Sequence, residues 1–433
     1  MKSKNIRILG FASSASTGGK LKLPASNGTR AISGGVTAPK GFKANGLHCG
    51  IKTVKKNDLA LIYSEMPCAA AGVFTTNKIQ ASCVVINQEH LKNGKAQAII
   101  ANSGNANCMT GKKGFADSRA MASAVAKELG LKREDVCVAS TGLIGYALPI
   151  EKIEEAIPEL VNGLNGSGSK KAARGIMTTD KTLKEAAVEF AIGKSRVRIG
   201  AIAKGAGMIH PQMALSKHAT MLCFVATDAR ISPRALRGAL DTATQKSFNM
   251  ITIDGDMSTN DMVLVLANGM AGNALIAENS EEARVFGSAL ETILLKLAQM
   301  IVRDAEGATK FVEVAVKNAK SSEDARSMAR TVASSTLVKC ALFGSDPNWG
   351  RIAAAAGRSG AHVLPWKMKI YLGRELVLKN GGAVSKKPGI LNRIFKKKNI
   401  NITLDLSAGT HSATAYTCDL STNYVKLNSD YHT

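Results

Sequence analysis

The sequence predicts a layered α/β protein, and three observations carry that prediction. Short apolar, strand-like runs alternate with longer helical patterns through most of the 433 residues. The chain is 45% hydrophobic and 21% charged, a globular balance that excludes a disordered tail protein or a collagen-like repeat. Aromatic residues make up only 4%, so the core must be built from Ala, Val, Ile, Leu and Met. At roughly 150 residues per domain the length suggests two or three folding units.

Strands are expected at 59–64 and 97–101, where apolar residues cluster in short runs. A helix is expected over 115–129, which is Ala-rich, carries Asp117 near its start and is closed by Gly130. Further strands are expected at 136–139, 196–203, 222–227 and 263–267. A second long helix is expected over 281–303, with Val285, Leu290, Ile293, Leu294, Leu297 and Ile301 at three-to-four spacing. Strands at 312–317, 401–406 and 413–419 complete the set. The Gly-, Ser- and Asn-rich stretch 162–171 reads as an exposed loop and 379–398 as a basic excursion between strands. No internal repeat of 20 to 50 residues is visible.

No uninterrupted apolar run reaches the roughly 18 residues that span a bilayer, so a soluble protein is expected. The formal charge is +24. It gathers in two blocks: nothing acidic precedes Asp58, and from Trp366 to Lys398 only Glu375 opposes the bases. Neither block has the aromatic interleaving that stacks bases, so the blocks read as solvated surface and a nucleic-acid partner is not expected. The eight cysteines, at 49, 68, 83, 108, 137, 223, 340 and 418, show no metal-ligand spacing. Cys83, Cys137 and Cys223 fall in strand-like apolar runs, where a reduced thiol is a small core hydrophobe and a reducing compartment is implied. The acid-free N-terminus lacks a secretory apolar region. A flexible extension over 1–33 is expected, with an organellar transit peptide as the alternative.

Familiar motifs fail in detail. Gly193-Lys194-Ser195 lacks the upstream glycine of a phosphate loop and reads as a turn. Gly205-Ala206-Gly207 lacks the third glycine and the acidic partner of a dinucleotide site. No metal site and no nucleophile elbow are found. What remains are five polar turns beside apolar strands: 102–107, 140–142, 177–180, 254–261 and 343–351. Such turns place backbone N–H groups and small hydroxyls in convergent positions.

The ordered succession of Gly34-Gly35-Val36-Thr37, the Asn102 turn, Ser140-Thr141-Gly142, Met177-Thr178-Thr179-Asp180, Lys204-Gly205-Ala206-Gly207, Ala219-Thr220-Met221-Leu222, Asp304-Ala305-Glu306-Gly307, the Phe343 turn and the 424–431 ending resembles the ornithine acetyltransferases (glutamate N-acetyltransferases, ArgJ type) of arginine biosynthesis. The resemblance covers about residues 34 to 433. It implies an ArgJ/DmpA-like sandwich of sheets covered by helices, and a precursor that cuts itself between Ala219 and Thr220 into an α chain (34–219) and a β chain (220–433). Thr220 would be the nucleophile, with its own α-amine as base. By the same resemblance Thr141 and Gly142 form the oxyanion hole, while Thr178, Thr179, Lys204, Thr220, Glu306, Asn428 and Thr433 bind substrate.

The implied reaction moves acetyl from N-acetylornithine to glutamate. The implied assembly is an α2β2 heterotetramer in the cytoplasm. No cofactor is implied, and acetyl-CoA as a further co-substrate stays open. The sequence departs from the family pattern by an insertion of about five residues, Leu215 to Ala219, just before the expected scissile bond. Two alternatives stand beside this reading: a related N-terminal-nucleophile amidase or aminopeptidase, and a non-enzymatic basic protein that binds nucleic acid.

Overall fold

The computed structural model describes residues 28–214, 221–387 and 389–430. Ala219, Thr220 and Thr433, the 215–219 insertion and most of the 1–33 extension therefore lie outside the described residues.

Two mixed sheets organise the described chain. The first contains β1 (Arg30–Ile32), β2 (Phe42–Leu47), β3 (Leu59–Thr75), β4 (Lys95–Asn105), β5 (Val136–Leu143), β6 (Lys184–Ile192), β7 (Ser195–Lys204), β8 (Met213–Ala214), β9 (Leu222–Thr227) and β10 (Met262–Ala267). Its order is β1-β6-β7-β9-β10-β3-β4-β5, with β2 and β8 also paired to β3. β4 and β5 are parallel, as are β9 and β10. Parallel neighbours need a crossover, supplied here by α2 (Gly111–Leu129) and α5 (Pro233–Lys246).

The long strand β3 decides the shape. Its Leu59 end pairs with Asn102 of β4, and its Phe74 end pairs with Met262 of β10. In a flat sheet these ends would lie roughly 50 Å apart at about 3.3 Å per residue. Yet the Asn260 Nδ2 group, beside β10, donates to the Ser140 carbonyl of β5 at 2.8 Å. The sheet is therefore folded on itself. The irregularity between Tyr63 and Cys68 marks the bend, where Pro67 has no N–H for the ladder. Leu222, Phe224, Leu264 and Leu266 from one half share a core with Leu61, Ile100 and Val138 from the other. This is the sandwich that the family resemblance implies.

Helices cover it. α1 (Ser82–His90), α2, α3 (Ile150–Asn162) and α4 (Ser169–Ile176) pack on the half carrying β2 to β5. α5 and α6 (Glu281–Arg303) cover the other half, burying Leu290, Ile293, Leu294, Leu297 and Ile301. Ser280 caps α6 by accepting from the Ala283 N–H, and Glu281 and Glu282 suit its positive end. α6 is long and apolar enough to cross a bilayer, but its apolar stripe is core here.

The second sheet holds β11 (Phe311–Ala319), β12 (Lys369–Leu372), β13 (Glu375–Lys379), β14 (Gly382–Ala383), β15 (Asn399–Asp405) and β16 (His411–Cys418). Alternate residues Val312, Val314 and Val316 face Met328, Ala329 and Val332 of α7 (Ser322–Ala333). α8 (Thr336–Phe343) and α9 (Trp349–Gly357) extend this unit. α10 (Ile390–Phe395) and α11 (Thr422–Asp430) are short.

Three expectations change. Cys83 lies in helix α1, not in a strand: Val84 and Ile86 of the β-branched run are buried and Val85 is half-buried, and packing rather than propensity decides. The stretch 162–171 is a loop only in part, because Ser169 starts α4 and is buried. The excursion 379–398 contains β14 and α10, and its Lys386 pairs with Glu375 at 3.0 Å. All eight cysteines are free.

Candidate active site

β5 is an edge strand whose open side is filled by side chains. His90 meets the Val136 carbonyl, Asn87 bonds both the N–H and the carbonyl of Val138, and Asn260 donates to Ser140. An edge with paired backbone cannot slip, so the turn that ends β5 is held firmly. That turn carries Thr141 and Gly142. Gly142 has φ 135°, and a Cβ there would collide with the Gly104 and Asn105 backbone. Only glycine fits this close approach.

Lys204 ends β7 inside the protein. It is 6% exposed, and its Nζ donates to the Thr141 Oγ1 at 3.2 Å. Burial lowers the Lys204 pKa, while the Asp180, Asp261 and Glu306 carboxyls that face it work the other way. Asp180 accepts from the Gly205 N–H at 2.7 Å, the Thr178 N–H at 3.0 Å and the Lys184 Nζ at 2.6 Å. Burial alone would raise Asp180; the Lys204 and Lys184 ammoniums and the Gly205 N–H overcome it and hold the carboxyl down at about 2. Lys184 also reaches Asp304 at 2.6 Å, and Asp304 accepts from the Lys181 and Thr182 N–H groups. A buried ion triad thus fixes the loop that carries Thr178 and Thr179.

Glu306 faces the same space from beyond α6. Its N–H donates to the Ala206 carbonyl at 2.9 Å, and its Oε2 accepts from Asn428 Nδ2 at 3.0 Å. Gly207 lets that carboxylate approach, since a Cβ there would lie 2.5 Å from Oε2. Tyr424 donates to Asp254, whose carboxylate also accepts the Met208 and Ile209 N–H groups.

These groups line one cavity of about 900 Å³. Thr141, Gly142, Thr178, Thr179, Lys204, Glu306 and Asn428 all border it. Four of the five polar turns meet there; the 343–351 turn lies instead at the α8–α9 corner. Sequence reasoning missed Lys52, Asp254 and Tyr424 as wall residues. Lys52 donates to the Asn57 and Met177 carbonyls, and burial pulls its ammonium down to about 8. The 254–261 turn and the 424–431 ending, each singled out only as a group, contain Asp254 and Tyr424, whereas nothing in the sequence pointed to Lys52. Among the described residues no cluster of His, Cys, Asp and Glu could hold a metal.

A folded sandwich with a polar cavity of both signs at its strand ends defines an α/β enzyme acting on a small charged molecule. The chain belongs to the ArgJ family, whose model matches residues 43–433. It is 49% identical over 404 residues to the arginine biosynthesis bifunctional protein ArgJ of Symbiobacterium thermophilum, covering 93% of this chain and 99% of that one. The ArgJ of Caldanaerobacter subterraneus is 46% identical over 406 residues, with the same two coverages. Among solved structures, an ornithine acetyltransferase of Mycobacterium tuberculosis complexed with ornithine is 42% identical, with a TM-score of 0.41, covering 43% of this chain and 100% of that one.

Proposed function

We propose that this chain is the ornithine acetyltransferase of arginine biosynthesis, moving acetyl from N2-acetyl-L-ornithine to L-glutamate through an acetyl-Thr220 intermediate. The observation that carries the reading is the convergence of Thr141, Gly142, Thr178, Thr179, Lys204, Glu306 and Asn428 on one cavity from strands and loops far apart in sequence. The names of its relatives point the same way.

In this reading the precursor cuts itself between Ala219 and Thr220, giving α and β chains that pair as an α2β2 heterotetramer in the cytoplasm. A free threonine hydroxyl is a weak nucleophile, and the α-amine made by cleavage serves as its base. Thr141 and Gly142 stabilise the oxyanion. Because Lys204 Nζ donates to Thr141 Oγ1, it occupies an oxygen lone pair and leaves the hydroxyl hydrogen free to point at developing negative charge. The Lys204 side of the cavity suits a substrate carboxylate and the Glu306–Asn428 side suits an amine. Thr433 would complete the binding set. No cofactor is needed, and acetyl-CoA is a candidate second donor.

The test is the intact mass of the purified protein under denaturing conditions, with N-terminal sequencing, followed by acetyl transfer from N-acetylornithine to glutamate. Two chains are expected, one beginning Thr-Met-Leu-Cys, with Thr220→Ala uncut and inactive. A single uncut wild-type chain, or transfer by Thr220→Ala at the wild-type rate, overturns the reading.

A further inference from the structure

In the acetyl-transfer reading the cavity serves two molecules in turn, and they differ at one end. N-acetylornithine and glutamate both present an α-nitrogen and an α-carboxylate, so those groups can share one set of partners. Their side chains end in opposite charges, an ammonium on ornithine and a second carboxylate on glutamate. The side of the cavity that suits the ammonium repels the carboxylate: Tyr424 there faces the Asp254, Glu306 and Asp256 carboxyls together. Glutamate needs a cation elsewhere.

The cations that border the cavity among the described residues are Lys52, Lys55, Lys56, Arg174, Lys181 and Lys204. Lys204 is already matched to the α-carboxylate. Lys55, Lys56, Arg174 and Lys181 are exposed, where water and salt screen their charge. Lys52 is half-buried, and its place is fixed. Asp58, whose side chain is fully buried, accepts the Cys49 N–H at 2.7 Å and the Lys52 N–H at 2.9 Å, which ties down the turn after β2. The Lys52 stem lies over Gly104, the partner of Gly142 in the β4–β5 pair; a Cβ on Gly104 would sit 3.1 Å from Lys52 Cγ.

At the tip of that stem the ammonium donates to the Asn57 carbonyl at 2.9 Å and the Met177 carbonyl at 2.7 Å. Both acceptors are neutral, and one of its three N–H groups is left over among the described residues. Burial, Lys204 and Lys56 disfavour this charge, and Asp58 and Asp180 offset them only in part. Lys52 and Lys204 thus border one cavity, close enough to oppose each other's charge, an arrangement that a dicarboxylate relieves.

We propose that Lys52 selects glutamate as the acetyl acceptor: its ammonium takes the side-chain carboxylate while Lys204 takes the α-carboxylate. The assignment rests on the acetyl-transfer reading. Ornithine and glutamate then share the α end of the site and diverge at the other, one toward Glu306 and Asn428, the other toward Lys52.

The experiment measures two rates in wild type, Lys52→Met and Lys52→Arg. One is exchange of labelled ornithine into N-acetylornithine, which uses no glutamate. The other is acetyl transfer from N-acetylornithine to glutamate or to glutamine, its neutral counterpart. Exchange reports any general damage, and the glutamate-to-glutamine ratio of kcat/KM reports the carboxylate contact alone. Wild type should prefer glutamate by at least about tenfold. In Lys52→Met that preference should fall at least about tenfold, through KM for glutamate, and Lys52→Arg should retain most of it. A Lys52→Met preference equal to that of wild type overturns the proposal, as does a Lys52→Arg preference lost as fully as in Lys52→Met. If Lys52→Met does not fold, the wild-type comparison decides, since a wild type that accepts glutamine as well as glutamate overturns the proposal by itself. Wild type that neither exchanges nor transfers acetyl defeats the acetyltransferase reading and this proposal with it; wild type that does both leaves that reading standing whatever the ratio shows.

Discussion

Replacing Lys184 by methionine keeps the volume of the side chain and removes only its charge. The ammonium holds Asp180 Oδ1 and Asp304 Oδ2 at 2.6 Å each, with side-chain exposures of 0%, 0% and 5% for the three groups. Stranding buried carboxylates in this way costs about 3–5 kcal/mol. Asp180 supplies a consistent scale. Its fall from 3.8 to about 2 corresponds to about 2 kcal/mol, shared among Lys204, Lys184 and the Gly205 N–H, and the stranded Asp304 adds to it. The sign follows from the direction of the shift. A carboxyl lowered in the folded state contributes stability that is present above 3.8 and lost as pH falls toward about 2. In Lys184→Met that contribution shrinks, so the penalty should be largest at pH 7 and smaller at pH 4, where Asp180 can take a proton. Urea unfolding followed by far-UV circular dichroism at the two pH values reads it. A penalty below about 1 kcal/mol, or one equal at both pH values, refutes the claim that the triad is an ionic clamp.

Three further outcomes are expected. Gly142→Ala forces a Cβ into the Gly104–Asn105 backbone and displaces the β5 turn, so kcat should fall by about 10²–10³ with chain cleavage checked in parallel; a wild-type kcat would remove Gly142 from the oxyanion site. Asn87→Ala leaves the N–H and carbonyl of Val138 unpaired at a buried edge, and the urea midpoint should fall by an amount equivalent to about 2–4 kcal/mol; no change would mean that the edge is satisfied otherwise. Lys204→Met removes the cation that the substrate carboxylate is expected to meet, and KM for N-acetylornithine should rise by about tenfold or more, while an unchanged KM would assign Lys204 to the oxyanion site alone.

Much of the fold was legible before any coordinates. Each of the nine expected strands falls within or beside an observed strand, and the 281–303 helix has the observed bounds, because alternation and three-to-four spacing record which face is buried. The errors have physical causes too. Val84-Val85-Ile86 reads as strand by side-chain type, yet the segment forms α1, which buries Val84 and Ile86 and brings Asn87 to the β5 edge. The expected strand at 59–64 is the first part of a 17-residue β3, since a bent strand breaks the simple alternation at Ser64 to Pro67.

The site divides in the same way. The family resemblance carried by ordered motifs nominated Thr141, Gly142, Thr178, Thr179, Lys204, Glu306 and Asn428, whereas local pattern by itself singled out only polar turns, 140–142 and 177–180 among them, without assigning their roles. That these residues share one cavity was decided by the fold of the sheet at β3, which brings the end of β5 to the start of β10. The clamp of Lys184 between Asp180 and Asp304 exists only as a relation between elements. Local pattern determines which residues turn inward, because burial repeats with the period of the element. Which buried charge finds a partner depends on chain segments far apart in sequence, so only the tertiary structure could decide it.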